Sequence, residues 1–394
     1  MNRTVGLCLF FLFIVEIFSV RPRSQMATPA EETTLRGAIH VHSTFSDGGG
    51  TPDEIAEGAR RAGLDFVVLT DHNNSQARKG FERRYNTLDL FVEMEASTPG
   101  GHALSFFSHT EDRTLSDPRV VDQTYEHFIG QPSPKDLFIV VAHPSNVKNP
   151  WTQLDRYPEG IEIANFDSFW QRQASESLLD FCTTVLTFPL NNYLGALRFL
   201  QFYEKDLSSW DSMNMIVPGH FGILGHDTHS KFKLTQTAVF RWPDYEQTFR
   251  MASNVVFLKE KPDADFEKRR RQIYSALRSG SMAVTFQILG PFDGNDWTLT
   301  CGHKTFRSGD QADLSPNCHF QAVAPVHFPY PVRFKLIHDG KVVHDSSSEE
   351  SVRRIPVSGP GVYRLEVYAK VRSLFHLLLS HDVPYVFYNP IYVR

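Results

Sequence analysis

The stretch that most constrains the fold is residues 37–73, which reads as a strand, a helix and a second strand. Thr51, Pro52 and Glu54 have the spacing of an N-capping box with proline at the first helical position. Gly63 has the position of a left-handed helix end. The run FVVLT that follows is continuously apolar, which is typical of a strand buried in a parallel sheet. The stretch therefore predicts one βαβ unit.

Potential metal ligands follow both of these strands. His40 and His42 are two residues apart and are predicted to face the same side of their strand. Asp71 and His72 come directly after the second strand. Because the carboxyl ends of parallel strands meet at one edge, and sites are built there in α/β folds, we expect these groups to lie close together.

Four more potential ligand groups follow other strand-like runs. Each alone has a simpler interpretation, since a histidine at a strand end is more often bonded to a backbone carbonyl. Glu93 and Glu95 share one predicted strand face, and the remaining groups contain His102, His143, and the pair Asp227 and His229. Their recurrence after successive strands favours a metal site of imidazole and carboxylate ligands.

In the order HVHSTFSDG, TDHN, EAST with GHALSFF, AHP and GHDTH, these motifs resemble the PHP (polymerase and histidinol phosphatase) family. The resemblance implies a distorted (β/α)7 TIM-like barrel holding two or three divalent ions. The implied ligands are His40, His42, Glu95 and Asp227 for one ion, Glu95, His102 and His143 for a second, and Asp47, His72 and His229 for a third. Asp47 replaces a histidine found in some members, and Met94 stands where members often carry glycine; we assign Glu93 a supporting position.

Such a site predicts hydrolysis, because neighbouring cations lower the pKa of a shared water and stabilise the oxygens of a displacement. Asp227 is the candidate proton acceptor and His229 the candidate support for the leaving group. The sequence contains neither a serine nucleophile elbow nor a Walker-type phosphate loop. Zn, Mn and Fe all suit these ligands, so the identity of the metal stays open.

Substrate recognition is less visible in the sequence. Asn73, Arg78, Lys79 and Lys148 follow strand-end ligands closely and are candidates for binding an anionic group, although solvated loop charges are the simpler interpretation. Residues 166–210 are rich in aromatic residues and leucine with helical periodicity, which predicts core helices, part of which form a lid over an apolar pocket. A small-molecule or lipid-derived anionic ester is the expected substrate.

The composition bounds the remaining choices. The chain has 394 residues, 41% of them hydrophobic, with a net charge of −5 and a pI of about 6.4. It is therefore long enough for more than one domain, and it lacks the basic bias of a protein that binds nucleic acid. The basic run 268–271 is predicted to be the solvated face of an amphipathic helix.

Residues 1–25 are predicted to be a signal peptide or a signal anchor, followed by a linker at 26–36. The protein is accordingly expected to be exported, periplasmic or secreted, with membrane anchoring as the alternative because no good cleavage site follows the apolar run. The barrel is predicted at 37–289. The oligomeric state stays open.

Residues 290–394 alternate short β-rich runs with turns, which predicts a small Ig-like β-sandwich. Its end resembles the tails of PHP proteins similar to the carbaryl hydrolase CehA. Cys301 and Cys318 flank a turn-rich stretch and either pair in an oxidising compartment or stay free. The apolar insertion 373–380 is predicted to pack against the barrel, with peripheral contact to a membrane or a partner as the alternative.

The leading functional hypothesis is a metal-dependent phosphoesterase that acts on a phosphodiester or a phosphomonoester. A carboxylic ester, carbamate or amide hydrolase with the same metal site is the second hypothesis. A non-catalytic, metal-stabilised binding protein is the third, and the presence of all nine ligand positions argues against it.

Overall fold

The computed structural model describes residues 3–22, 33–107, 137–152, 158–200, 204–233, 239–325, 328–348, 352–379 and 381–394. Within these ranges the protein is a mixed α/β structure with several sheets. No helix in this described part of the chain combines the length and the apolar character needed to cross a membrane.

The strands are β1 Thr34–Val41, β2 Phe66–Leu69, β3 Arg83–Tyr85, β4 Leu88–Val92, β5 Met94–Thr98, β6 Gly101–Phe107, β7 Leu137–Val141, β8 Gly160–Asn165, β9 Phe221–Gly225, β10 Phe232–Lys233, β11 Val239–Phe240, β12 Ser253–Phe257, β13 Met282–Thr285, β14 Asp296–Cys301, β15 Lys304–Phe306, β16 Gln311–Ala312, β17 Cys318–Val323, β18 Val332–His338, β19 Lys341–Ser348, β20 Val352–Pro356, β21 Gly361–Ala369, β22 Val383–Tyr388 and β23 Ile391–Val393.

The helices are α1 Arg3–Ser19, α2 Pro52–Arg61, the kinked turn α3 Arg78–Phe81, α4 Phe166–Glu176, α5 Leu178–Thr187, α6 Asn192–Phe199, α7 Glu204–Ile216, α8 Tyr245–Met251 and α9 Phe266–Arg278. The segment from α4 to α7 lies between β8 and β9 in the chain, so most of the described part of the stretch predicted to be helical is helical.

The βαβ unit predicted from the sequence is present. Strands β1 and β2 pair in parallel, and α2 connects them. Thr51 caps α2 through the nitrogen of Glu54, and Glu54 bonds back to the nitrogen of Thr51. Gly63 follows the helix with φ +75°, the left-handed conformation that glycine adopts without steric cost. The capping box and the glycine therefore define the ends of α2, and the two strands that it connects lie side by side as predicted.

Two sheets together carry the candidate site. In the first, β12, β1, β2 and β4 are neighbours, with β1, β2 and β4 parallel and β12 antiparallel to β1. The second has the order β5-β6-β7-β8-β9. The sheets meet at two isolated parallel bridges, Val41 with Thr228 and His72 with Glu95. Each bridge lies beside predicted metal ligands, so the junction of the sheets brings the strand ends together.

The first sheet continues beyond the predicted end of the barrel. Strand β13 pairs with β12 on one side and with β22 on the other. Residues 290–394 therefore share a sheet with the residues before them, and a separate four-stranded sheet of order β15-β14-β17-β20 packs beside it. Trp297, Phe320 and Tyr363 lie in the core between these strands. The Ig-like topology and the boundary at 289 stay predictions.

The basic run in α9 is only partly solvated, which corrects the prediction for residues 268–271. Lys268 and Arg271 are exposed, but Arg270 is fully buried, with its guanidinium 2.7 Å from the carboxylate of Glu82. The same guanidinium lies 5.3 Å from the centre of the Phe91 ring. Helical periodicity alone predicts a solvated Arg270, because the residues that bury it lie almost two hundred positions earlier in the chain.

The described residues of the predicted insertion, 373–379, contact the end of α1; residue 380 lies outside the described part. The backbone nitrogen of Phe375 donates to the carboxylate of Glu16, and that of Leu374 donates to the Ser19 hydroxyl at 3.0 Å. Leu379 is buried, whereas Leu374, Phe375 and Leu377 are at least half exposed. The insertion thus packs only in part, and its exposed apolar residues lie beside the N-terminal helix.

Cys301 and Cys318 are register partners in β14 and β17 and form a disulfide, as one of the two sequence-based alternatives expected. The bridge closes a loop with a sequence separation of 17 residues. We predict that replacing both cysteines by serine lowers the free energy of unfolding by about 3 kcal/mol, because the unfolded chain gains freedom. Denaturant unfolding under non-reducing conditions measures this, with the exposed Cys182→Ser as the control; equal stability of both variants would contradict it.

Candidate metal centre

The nine predicted ligands come from the ends of six strands and the loops that follow them. His40 lies in β1, Glu95 in β5 and His102 in β6, and His143 follows β7. The others are His42 and Asp47 after β1, His72 after β2, and Asp227 and His229 after β9. They form four overlapping groups whose potential ligand atoms lie within 4.8 Å of one another in each group. The structure therefore brings all nine together.

The Glu95 carboxylate is the centre of the cluster. One oxygen lies 2.9 Å from Nδ1 of His102 and 3.0 Å from Nε2 of His143. The other lies 3.0 Å from Nδ1 of His72, 3.2 Å from Nε2 of His40 and 3.3 Å from Nε2 of His42. Five imidazoles thus share one buried carboxylate, which is the arrangement expected of a ligand that bridges neighbouring cations.

Two acidic residues complete the cluster on either side of His42. An oxygen of Asp227 lies 3.4 Å from Nε2 of His42 and 3.5 Å from Nε2 of His40. Asp47 lies 3.6 Å from Nδ1 of His42, and the same oxygen lies 3.2 Å from Nε2 of His229. Asp47 is half exposed, so its side of the cluster opens towards solvent.

The buried donor atoms fit a metal better than they fit one another. In the described part of the chain, five of them are buried without a hydrogen-bond partner: Nε2 of His40, Nε2 of His42, Nδ1 of His72, Nδ1 of His143 and Oε2 of Glu95. Unsatisfied buried polar atoms cost about 1–3 kcal/mol each, so a cluster of them indicates a missing partner. Nitrogen and carboxylate donors converging on one point suit a divalent transition metal.

The electrostatics point the same way. Burial is the largest influence on the pKa of Glu95 and raises it, but the neighbouring imidazoles, His40 first, outweigh it and hold the pKa well below its usual value. For His143, burial lowers the pKa, and the hydrogen bond and charge of Glu95 raise it to about 9. Asp47 and Asp227 likewise overcome burial and raise the pKa of His229 to about 9. The buried carboxylates and imidazoles of the cluster are therefore charged only because each lies beside groups of opposite charge.

Three of the ligand residues have a backbone conformation that L residues rarely adopt. The φ angles are +65° at His40, +31° at His143 and +44° at Asp227. Such conformations cost on the order of 1–3 kcal/mol each and concentrate at functional sites. At these positions they turn the side chains at the strand ends inward to the common centre.

Sequence reasoning missed Glu162, which orients two of the ligands. Its carboxylate lies 2.6 Å from Nδ1 of His40, and it accepts from the backbone nitrogen of His143 at 2.6 Å and from the Asn165 amide at 2.8 Å. Gly225 leaves room for it, since a Cβ there would lie 1.9 Å from the Glu162 oxygen. A glutamate between isoleucines in GIEIAN was a usable signal, because a buried strand rarely carries a charge without a partner.

Asp71 supports the loop that follows β1. It accepts from the nitrogen of Ser43 at 2.8 Å, from the Ser43 hydroxyl at 2.7 Å and from the Ser46 hydroxyl at 2.6 Å. The Tyr245 hydroxyl donates to the carbonyl of His42 at 2.8 Å. These bonds fix the loop that carries Asp47.

Glu93 lies apart from the cluster, which differs from the supporting position predicted for it. Its carboxylate accepts from the Tyr274 hydroxyl at 2.7 Å and from the backbone nitrogen of Phe107 at 3.2 Å, and Arg78 lies 3.3 Å away. The break between β4 and β5 falls at Glu93, so the two-residue alternation that would have placed it beside Glu95 is interrupted. Burial raises the pKa of Glu93 to about 7.

The four predicted substrate-binding residues have different environments. Asn73 bonds to Ser97 through both of its amide atoms, and Arg78 donates to the carbonyl of Val92 beside Glu93, so the structure uses these two side chains to connect strands. Lys79 and Lys148 are exposed. Their part in substrate binding stays a prediction.

No protein-family model matches the chain, and no curated protein does so either. Among solved structures, the chain is similar to a two-domain protein from Bacteroides vulgatus described as containing a predicted PHP-like metal-dependent phosphoesterase. The identity is 16% over 93% of this chain and 98% of that one, with a TM-score of 0.39.

Two further structures resemble about half of the chain. One is a protein from Bifidobacterium adolescentis proposed to be a metal-dependent phosphoesterase, at 18% identity. The other is an amidohydrolase from Chromobacterium violaceum with bound sulfate and no metal, at 15% identity. Each covers 49% of this chain and 87% of the other, with a TM-score of 0.28. Similarity at this level does not transfer their activities to this chain.

We predict that Glu95→Gln lowers divalent-metal affinity by at least about tenfold, because an amide removes the charge that five imidazoles share. Elemental analysis after equilibrium dialysis measures the metal content. The matched control is Glu93→Gln, two residues earlier and equally buried, whose contacts lie outside the cluster. Equal metal content in both variants would contradict a central role for Glu95.

We predict that Glu162→Gln weakens metal binding by about 10- to 100-fold while the protein stays folded, because the bond that orients His40 changes but the ligands remain. A competition titration with a metal chelator gives the affinity, and circular dichroism checks the fold. An unchanged affinity would show that the backbone alone orients His40.

Proposed function

We propose that the protein is a metal-dependent hydrolase of the PHP superfamily that cleaves phosphate esters, either monoesters or diesters. The observation that carries the proposal is the buried Glu95 carboxylate within 3.3 Å of five imidazole nitrogens. A structural ion pair requires one cationic partner for a carboxylate, whereas five imidazole rings surround this one. The motifs that resemble this superfamily supply the same ligands in sequence order.

The nine ligands are proposed to hold two or three divalent ions, with Zn, Mn and Fe as candidates. When bound, such ions acidify a water molecule and stabilise the charge on the oxygens of a displacement. The residues of the chain hold the donors in place beforehand: Glu162 fixes His40, and Asp71 fixes the loop of Asp47. An oriented set of donors stabilises charge without the cost of reorganisation during the reaction.

Asp227 is the proposed proton acceptor for the attacking water. One of its oxygens faces His40 and His42, and the other accepts from the amide of Asn165 at 3.1 Å, so its orientation is fixed from two sides. His229 stacks on His42 with ring centres 4.2 Å apart and lies on the more open side of the cluster. From there it is proposed to support the leaving group.

Hydrolysis of a carboxylic ester or a carbamate is the second candidate. A cavity lined by aromatic residues borders Asp227 and His229, and it suits an organic group attached to either a phosphoryl or a carbonyl centre. The same water and the same proton acceptor serve both reactions, so only an assay with both substrate classes separates them.

We also propose that the protein is exported, with α1 as its signal peptide or anchor and the exposed apolar residues of 373–380 as a peripheral membrane contact. The Cys301–Cys318 disulfide supports export, because such bonds persist in oxidising compartments.

We predict that the metal-loaded protein hydrolyses 4-nitrophenyl phosphate or bis(4-nitrophenyl) phosphate, and that Asp227→Asn lowers kcat by about 10²- to 10⁴-fold per bound metal ion. Turnover is normalised to metal content, so that loss of the ions is distinguished from loss of the proton acceptor. An aryl carbamate is tested in parallel.

The outcomes separate the hypotheses. Turnover of the carbamate alone would replace the phosphoesterase proposal with the second candidate. Full metal occupancy with no turnover of any reporter would favour the non-catalytic binding protein. Full activity of Asp227→Asn at full metal content would exclude Asp227 as the proton acceptor.

A further inference from the structure

A cavity of about 200 Å³ opens beside Asp227 and His229. Its apolar side is largely aromatic and is formed by Phe166 and Trp170 from α4, Phe181 and Val185 from α5, Phe199 from α6, and Trp242. Asp167 of α4 and Thr248 and Met251 of α8 also line it. We call it the aromatic cavity. The segment predicted to form a lid over an apolar pocket thus supplies four of the five phenylalanine and tryptophan side chains that line it.

Helix α5 gives one face to the cavity and one to solvent. Phe181 and Val185, four residues apart on the helix, line the cavity. Cys182 and Leu186, the next residues along, are exposed. Val185 and Leu186 are therefore neighbours in sequence with opposite environments.

The rings of the wall pack on one another in the geometry that aromatic side chains favour. Trp170 lies 4.5 Å from Phe199 and 5.8 Å from Trp242 between ring centres, and Phe166 meets Phe199 edge to face at 5.5 Å. An edge-to-face contact such as that of Phe166 with Phe199 adds about 0.5–1.5 kcal/mol beyond area burial. The rings of the wall therefore pack against one another, and the wall presents aromatic groups to the space.

The cavity is continuous with the metal centre. His226, Asp227, Thr228 and His229 form its end nearest the ligands. Lys231 also lines it, and its ammonium group donates to the carbonyl of Asp47 at 3.3 Å. An ester bond placed at Asp227 and His229 can therefore extend its organic group into the aromatic wall, with a cation at the rim for the anionic group.

We infer that the aromatic cavity binds the aryl group of the substrate ester, so that the protein selects esters of phenols over those of small polar alcohols. The inference rests on the proposed hydrolase function, whose site it extends. Size supports one ring, since a dry apolar cavity of about 150 Å³ accommodates benzene. The 200 Å³ available here takes a phenyl ring with one small substituent.

The test uses the full-length protein and p-cresol, a neutral phenol that needs neither metal nor turnover to bind. Trp170 and Trp242 are part of the wall, so tryptophan fluorescence, excited at the red edge of its absorption, reports occupancy directly. Val185→Phe fills the cavity and is expected to weaken p-cresol binding by about 10- to 100-fold, the range for displacing one buried ring. Leu186→Phe adds the same ring on the exposed face and is expected to bind like the unchanged protein.

Kinetics provide the second readout. With phenyl phosphate and methyl phosphate as substrates, Val185→Phe is expected to lower the ratio of kcat/KM for the phenyl ester to kcat/KM for the methyl ester by at least about tenfold, whereas Leu186→Phe is expected to leave this ratio within about twofold. Saturable p-cresol binding without hydrolysis of any ester would support the cavity and overturn the hydrolase. No fluorescence change with p-cresol, or equal loss in Val185→Phe and Leu186→Phe, would overturn the cavity proposal whatever the enzyme does.

Discussion

The structure depends most on a single buried carboxylate that belongs to two sheets at once. Glu95 is the second residue of β5 and forms an isolated bridge with His72, which follows β2 of the other sheet. Its oxygens are surrounded by imidazoles from β1, β6 and the loop after β7, so neither sheet can shift without separating the charges. An unpaired buried charge costs several kcal/mol, and this holds the strand ends in one arrangement.

The ligand set could be predicted from the sequence, and the reason is local. His40, His72 and His143 occur at or just after apolar runs that form strands in any context, and strand ends converge at one edge of an α/β sheet. The capping signals of α2 define the helix that connects β1 to β2, and so they relate the position of His40 to that of His72. Glu162 could not be placed in the same way, because its function depends on a contact with His40 across 122 residues of chain.

Glu93 and Arg270 show where residue periodicity predicts the wrong environment for a charged side chain. Glu93 and Arg270 were assigned from two-residue and helical spacing, yet Arg270 is buried against Glu82 and Glu93 is bonded to Tyr274. Buried charges of this kind compensate one another, and predicting them requires knowledge of how α9 packs on β4. The continuation of the first sheet through β13 into β22 is likewise invisible to local patterns, since the paired strands are about a hundred residues apart.

Asn165 links the metal centre to the aromatic cavity. Its side-chain oxygen caps α4 by accepting from the nitrogen of Ser168 at 2.8 Å, and its amide nitrogen donates to Glu162 and Asp227. The helix that supplies Phe166 and Trp170 therefore begins at the same residue that orients the proposed proton acceptor. Because the Asn165 amide contacts both the start of α4 and Asp227, the wall of the cavity is held in a fixed position relative to the proposed proton acceptor. Selection by shape can then act directly on the alignment of the ester bond with Asp227.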